Sequence, residues 1–275
     1  MIADLVEAHY SHGNLLQAIH DGVQRLEKSP DTVSLEDLAP VDEFHIGGRI
    51  ATEIFMDQLD ITADDHVLDI GCGLGGASRF AAQQYGCRVT GIDLTDEYVE
   101  TGTELTAWVG LDDLITLDSG DATATPYRDG SFDKSYMMHV GMNIADKRSL
   151  AMELFRVLRP GGRLGIYDVM RVGGGALQFP VPWATNPEES VVSFPDEYKM
   201  SLEEAGFRVV AENDRSEFAL EFFSQLQARA GDGESPPLGL HILMGDSAAE
   251  KVRNMIENVS QKRIAPVEII VEKAA

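Results

Sequence analysis

Apolar residues recur at helical spacing near the start of the chain, where Leu15, Leu16, Ile19, Val23 and Leu26 share one face and Pro30 stops the run. A second helical pattern follows Gly47-Gly48, carried by Ile50, Ile54, Phe55 and Leu59, and Leu38-Ala39-Pro40 between the two reads as a linker. Residues 1–65 are thus expected to form a helical cap or lid without strands. From His66 the texture changes, and short apolar runs alternate with helical patterns. A strand at 67–70 precedes a helix over 75–85, and one at 88–92 precedes a helix over 95–108. Strands at 114–117 and 132–137 lead to a helix through 148–158 and a strand at 163–167. Such alternation predicts an α/β fold, a doubly wound and mostly parallel sheet with helices on both faces. Its ligand crevice lies beyond the carboxyl ends of the strands.

After Tyr167 the pattern loosens into an excursion containing Gly173-Gly174-Gly175 and Phe179-Pro180-Val181-Pro182-Trp183. Helices at 196–205, 217–230 and 248–259, strands at 207–211 and 267–271, and a Gly/Pro-rich loop at 231–239 complete the chain. The core domain is expected over 66–275, with lid segments near 170–195 and 214–247, because long loops in a compact domain usually cover or bind something.

The chain has 275 residues, of which 22 are Lys or Arg and 46 Asp or Glu, for a formal charge of -24. That balance argues against a nucleic-acid substrate, which is held by neutralising phosphates with basic side chains. It fits a highly solvated surface of the kind that suits high salt, where screening relieves self-repulsion. No apolar run approaches the ~18 residues of a membrane span, and the start of the chain lacks the basic and apolar pattern of a secretory leader. Cys72 and Cys87 are too few for a disulfide framework or a closed zinc site. His9 and His12 could share a helix face, yet no third ligand accompanies them. The expectation is a cytoplasmic protein without a metal; a homodimer stays open.

Asp69-Ile70-Gly71-Cys72-Gly73-Leu74-Gly75-Gly76 joins the first core strand to its helix. Glycines allow the tight turn and a close backbone approach, and the helix start offers unpaired N–H groups. The string satisfies both G-x-G-x-x-G and G-x-G-x-G, and either match alone is weak. Asp93 ends the second strand about 20 residues on, where a carboxylate can take both ribose hydroxyls. That pairing allows a nicotinamide or an adenosyl cofactor.

Gly120-Asp121-Ala122 after the third strand and the turn Arg159-Pro160-Gly161-Gly162-Arg163 before the fifth complete an ordered set that resembles the class I S-adenosylmethionine-dependent methyltransferases. The likeness is strong over 65–167 and looser elsewhere. His45-Ile46-Gly47-Gly48-Arg49, Met142-Asn143-Ile144-Ala145-Asp146-Lys147, the run Phe179-Pro180-Val181-Pro182-Trp183-Ala184 and Pro237-Leu238-Gly239-Leu240-His241 resemble bacterial small-molecule members. These are related in turn to glycine/sarcosine/dimethylglycine and phosphoethanolamine methyltransferases. The resemblance implies S-adenosylmethionine as cofactor and S-adenosylhomocysteine as product. It puts Asp69, Gly71, Cys72, Gly73 and Gly75 beneath the methionine and ribose, Asp93 on the ribose, Leu94 against the adenine, and Asp121 and Ala122 at the adenine edge. His139 would lie near the sulfonium, and the segment from His45 to Arg49 would act as a cofactor lid. Cys72 in the loop, and Asp where Glu is frequent at 93, depart from the commonest pattern without altering donor or acceptor type.

Methyl transfer from a sulfonium needs alignment and exclusion of water more than acid–base power, though an amine must give up a proton. His139 is the leading candidate base, its alternative being packing or contact with the cofactor. Asn143 either orients substrate or caps the next helix, and Asp146-Lys147 reads as helix-start electrostatics. Phe179 and Trp183 either hold a cationic amine by cation–π attraction or anchor their loop by burial. Arg49 or Arg171 could clamp a carboxylate. Tyr10, His12, His45 and His241 are expected as lid hydrogen bonds around the substrate. The expected activity is methylation of a small polar acceptor, leaning to the nitrogen of an amino-acid-like amine in betaine-type chemistry. The alternatives are O- or C-methylation of a secondary metabolite and, from other classes, a nicotinamide dehydrogenase or a non-catalytic adenosyl-binding module.

Overall fold

The computed structural model describes residues 6–7, 9–11, 13–229 and 236–275. His12 and much of the 231–239 loop therefore lie outside the described residues. Among the described residues, residues 6–7 and 9–10 are helical, and three bounded helices follow: α1 (Leu15–Arg25), α2 (Leu35–Asp42) and α3 (Gly48–Met56). The second was expected as a linker. Pro40 suggests a break, but Ser34 and Asp37 form a reciprocal capping box that starts the helix, and Leu35, Leu38 and Val41 are buried along it.

The core then alternates β1 (His66–Ile70), α4 (Gly76–Tyr85), β2 (Arg88–Asp93), α5 (Asp96–Trp108), β3 (Ile115–Ser119), β4 (Phe132–Met138), α6 (Lys147–Val157) and β5 (Leu158–Arg171). It closes with α7 (Pro195–Ala205), β6 (Phe207–Asp214), α8 (Ser216–Arg229), α9 (His241–Met244), α10 (Ala248–Ser260) and β7 (Ile264–Lys273). The seven strands form one sheet in the order β3-β2-β1-β4-β5-β7-β6, with β7 antiparallel to both neighbours and the others parallel. No helix of the described residues is long and apolar enough to cross a membrane.

β5 runs four residues past the expected end because Asp168–Met170 are buried in the sheet, paired with β7; the excursion begins only after Arg171. One sheet face packs on Leu150 and Leu154 of α6 and Leu202 of α7, and the other on Phe55 of α3 and Phe80 of α4. The N-terminal helices build a third core, in which Leu15, Ile19, Val23 and Leu38 meet Leu105 of α5 and Leu243 of α9. Glu97 fixes this cap to α5 by accepting the Gly13 and Leu15 N–H groups at 2.8 and 3.0 Å.

Register decides where chemistry can gather. Ile70 pairs with Ile92 and Met137, Asp93 with Ser119, and Met138 with Tyr167. The loops at 71–75, 94–95, 120–123 and 139–146 therefore emerge side by side beneath the helical cap.

Candidate active site

Those loops and the cap enclose a cleft of about 280 Å³. Its glycine turn is conformationally demanding: Gly71, Gly73 and Gly75 all have positive φ, at 67°, 53° and 77°. Each glycine answers a different need. A Cβ at Gly71 would sit 2.3 Å from Val140 Cγ2, so that position lets the β4–α6 loop pack closely. Gly75 is the left-handed residue before α4 and does not itself reach the cleft wall. A Cβ at Gly73 would meet nothing nearer than Tyr98 Cδ2 at 3.8 Å, so its backbone faces open cleft.

Asp93 organises the turn. Its Oδ2 accepts the Gly73 N–H and its Oδ1 the Thr95 N–H, both at 2.9 Å, and burial raises its pKa. Each oxygen keeps a lone pair for a further donor. Asp121 lies across the cleft, where Oδ1 takes the Thr123 N–H and hydroxyl at 2.7 Å and Oδ2 is left open. Leu94, Ala122 and Cys72 share the wall, the Cys72 thiol being pushed up by burial. Asp69 is turned into the sheet, where Oδ2 receives the Ser78 and Tyr136 hydroxyls at 2.6 and 3.0 Å. Burial lifts its carboxyl to about 7, and its visible task is tying β1 to α4.

Tyr10, His45, His139 and Asn143 gather toward the β4–β5 side. His139 has φ 56° and a ring engaged at both nitrogens: Nδ1 is 3.3 Å from the Tyr167 carbonyl, and Nε2 accepts the Ile46 N–H at 3.3 Å. Desolvation, aided by His45, lowers its pKa to about 3. A neutral ring with both nitrogens occupied is a brace between β5 and the cap. That geometry disfavours the proton-accepting role and favours the packing one. Asn143 sits in a 3-10 turn, not at a helix cap; Nδ2 donates to Tyr10 Oη at 3.3 Å. Asp146 is the cap, accepting the Ser149 N–H at 2.8 Å. Lys147, expected as helix-start electrostatics, is buried: Nζ donates to the carbonyls of Gly141, at 2.8 Å, and Ile144, and lies over the Tyr198 ring.

Besides Gly75, five expected site residues are not on the cleft wall. Trp183 is 3% exposed, its indole N–H donates to Ser190 Oγ at 2.9 Å, and with Phe179 it packs beside Val181 and Phe223, so the pair anchors its loop. Arg49 is drawn away by Glu43, which is buried and takes its Nε–H at 2.6 Å, while the guanidinium stacks over Phe80. His241 stands at the start of α9 and its neighbour Leu243 reaches the cleft instead. Arg171 donates to the Gly175 carbonyl at the surface. Sequence reasoning missed Asp42, Phe44 and Tyr98, all on the wall. Tyr98 had a signal: it lies in the first turn of the helix that follows Asp93.

Unfilled valences test whether the wall suits an adenosyl amino acid. Among the described residues, Tyr98 Oη and Asn143 Oδ1 are shut from solvent with no hydrogen-bond partner, a costly state unless a ligand answers them. With the open Gly73 backbone and the spare acceptors of Asp93 and Asp121, they suit a ligand carrying hydroxyl and amino groups.

A family model described as a methyltransferase domain matches residues 68–166. Methyltransferase GfsG of Streptomyces halstedii is 30% identical over 76% of this chain and 74% of its own. Phosphoethanolamine N-methyltransferase 1 of Triticum aestivum is 32% identical over 68% of this chain, which spans 36% of that longer enzyme. The structure of a geranyl diphosphate C-methyltransferase from Streptomyces coelicolor A3(2), bound to S-adenosylhomocysteine, superimposes with a TM-score of 0.70 at 18% identity, covering 99% and 98% of the chains. The chain belongs to the class I S-adenosylmethionine-dependent methyltransferases. It is a small-molecule methyltransferase whose relatives act on nitrogen, oxygen and carbon.

Proposed function

We propose that the protein methylates the nitrogen of a small amine that carries no phosphate. S-adenosylmethionine supplies an activated methyl group on a sulfonium. In this reading the turn from Gly71 to Leu74 and Asp93 hold the ribose and methionyl parts, while Asp121, Ala122 and Leu94 hold the adenine. Because adenine lies toward β3, the acceptor enters at the opposite, β4–β5 side, among Tyr10, His45, His139 and Asn143. Tyr10, Phe44 and Leu243 roof the cleft and exclude water. Preorganisation of this kind is worth up to roughly 7–11 kcal/mol in well-aligned systems.

One observation carries the choice of acceptor. Among the described residues no lysine or arginine lines the cleft, whereas Asp42, Asp93 and Asp121 do. The nearest cations are held against the fold: Arg79 donates to Asp42 Oδ2 at 2.6 Å, Arg49 to Glu43, and Lys147 to backbone carbonyls, while Arg49 Nη2 and Arg79 Nε are buried without a partner among the described residues. Phosphate recognition relies on charge-assisted donors that this wall lacks. An amine, neutral or protonated, meets carboxylates and aromatic rings instead. The same reasoning favours an amine without a free carboxylate over an amino-acid-like one.

The test is methyl transfer from labelled donor to a panel of simple amines, glycine, sarcosine, phosphoethanolamine, geranyl diphosphate and phenols. The reading expects transfer to an unphosphorylated amine. Transfer to phosphoethanolamine or geranyl diphosphate in preference to every amine would overturn it, and transfer to phenols alone would point to O-methylation of a secondary metabolite.

A further inference from the structure

His45 differs from His139 in the nitrogen it leaves free. Its Nε2 faces three groups: the Gly48 carbonyl at 3.1 Å, Thr52 Oγ1 at 3.0 Å and Glu43 Oε2 at 3.4 Å. The carbonyl and the carboxylate only accept, and the Thr52 hydroxyl already donates to Glu43 Oε2 at 2.6 Å. Only a protonated Nε2 satisfies all three, which fixes the tautomer and leaves Nδ1 as a bare lone pair. Among the described residues Nδ1 has no hydrogen-bond partner, and the residue lines the cleft on the side opposite Asp121.

We infer that His45 Nδ1 takes the proton of the methyl acceptor, with Glu43 as its positioning residue. This rests on the reading of the β4–β5 side of the cleft as the acceptor site. With the methyl donor bound, the lone pair of the acceptor nitrogen would form the new N–C bond as the donor's C–S bond breaks and its electron pair passes to sulfur, leaving the thioether product; the N–H bond then breaks, its electron pair stays on nitrogen, and the proton binds Nδ1. The resulting imidazolium faces the buried Glu43 carboxylate, which offsets its charge, and the proton then leaves to solvent through the cleft mouth. Charged and titratable neighbours are few: Glu43 and Arg49 on its own segment, His139 at the end of β4, and Tyr167 of β5, whose rings lie 6.0 and 6.2 Å away. Burial lowers the pKa of His45 despite Glu43, so the ring is neutral and ready to accept at pH 7.

Two measurements test the assignment. The first needs no acceptor: nitrogen NMR of the histidine rings in the protein saturated with S-adenosylhomocysteine. It is expected to show His45 protonated at Nε2 alone, titrating below 6.5 in the wild type and lower still in Glu43→Gln. Protonation at Nδ1 would overturn the proposal. The second uses whichever panel compound the wild type methylates, so a wrong acceptor class sinks the functional reading without touching this comparison. His45→Ala and His45→Gln are expected to lose at least ~100-fold in kcat, the usual scale for a base. S-adenosylhomocysteine should bind within about threefold of wild type, and free imidazole should restore part of the rate to the alanine variant. Unchanged kcat, or a loss matched by weakened nucleoside binding, would show a cofactor contact and refute the role.

Discussion

Replacing Asp93 with alanine probes the cleft at its most constrained point. The carboxylate now receives two backbone N–H groups, from Gly73 and Thr95 at 2.9 Å each, and has two lone pairs left for the ribose hydroxyls. Hydrogen bonds to a charged group are each worth about 1.5–3 kcal/mol. Losing two from the ligand, with some of that recovered by water entering the gap, costs about 3 kcal/mol of binding, or roughly 100-fold in Kd. Asp93→Asn should do little better, because its NH2 must face a donor at Gly73, at Thr95 or on the ligand. Calorimetric titration with S-adenosylhomocysteine measures the effect, with circular dichroism checking that each variant is folded. Binding by folded Asp93→Ala within threefold of wild type would show that the nucleoside does not rest on this carboxylate, and the site as described would be wrong.

The other predictions concern what supports the cleft. Gly71→Ala places a Cβ 2.3 Å from Val140 Cγ2 at φ 67°; a destabilisation of about 2 kcal/mol, lowering Tm by about 4–8 °C, is expected in calorimetry. Lys147→Met removes the donor to the Gly141 and Ile144 carbonyls and should cost about 3 kcal/mol of stability in urea titrations. Asp69→Asn keeps an acceptor for Ser78 and Tyr136 and removes a buried charge. Because folding raises the Asp69 carboxyl from 3.8 to about 7, its contribution is full below pH 3.8 and is lost as pH rises through about 7. The loss is on the order of 4 kcal/mol. The variant should therefore match wild type near pH 4 and exceed it in urea stability at pH 8; equal pH slopes for the two proteins would contradict this.

Much of this fold was legible because each buried parallel strand is a short apolar run bounded by turn residues, as in Val67–Ile70 before the glycine turn. Local chemistry also placed Gly71, Gly73, Asp93 and Asp121 on the cleft wall proposed for the nucleoside, since they sit at turn conformations and strand ends that spacing reveals. The acceptor side was harder to read. Nothing near His139 in sequence says that its ring will be occupied by Ile46 and Tyr167, 93 and 28 residues away. Likewise Arg49 looked free to clamp a carboxylate until packing brought it against buried Glu43. Trp183 and Phe179 carried two readings that only burial could separate, and Pro40 hid a helix whose start rested on the capping box between Ser34 and Asp37. Tertiary contacts, not local propensity, decided these cases.

A crystal structure of the protein grown with S-adenosylhomocysteine tests the central claim most directly. The account predicts the ribose on Asp93, the adenine between Leu94 and Asp121, and the sulfur directed toward His45 and the β4–β5 side. Density for the nucleoside outside this cleft, or a bound ligand with Asp93 and Asp121 both turned to solvent, would contradict it.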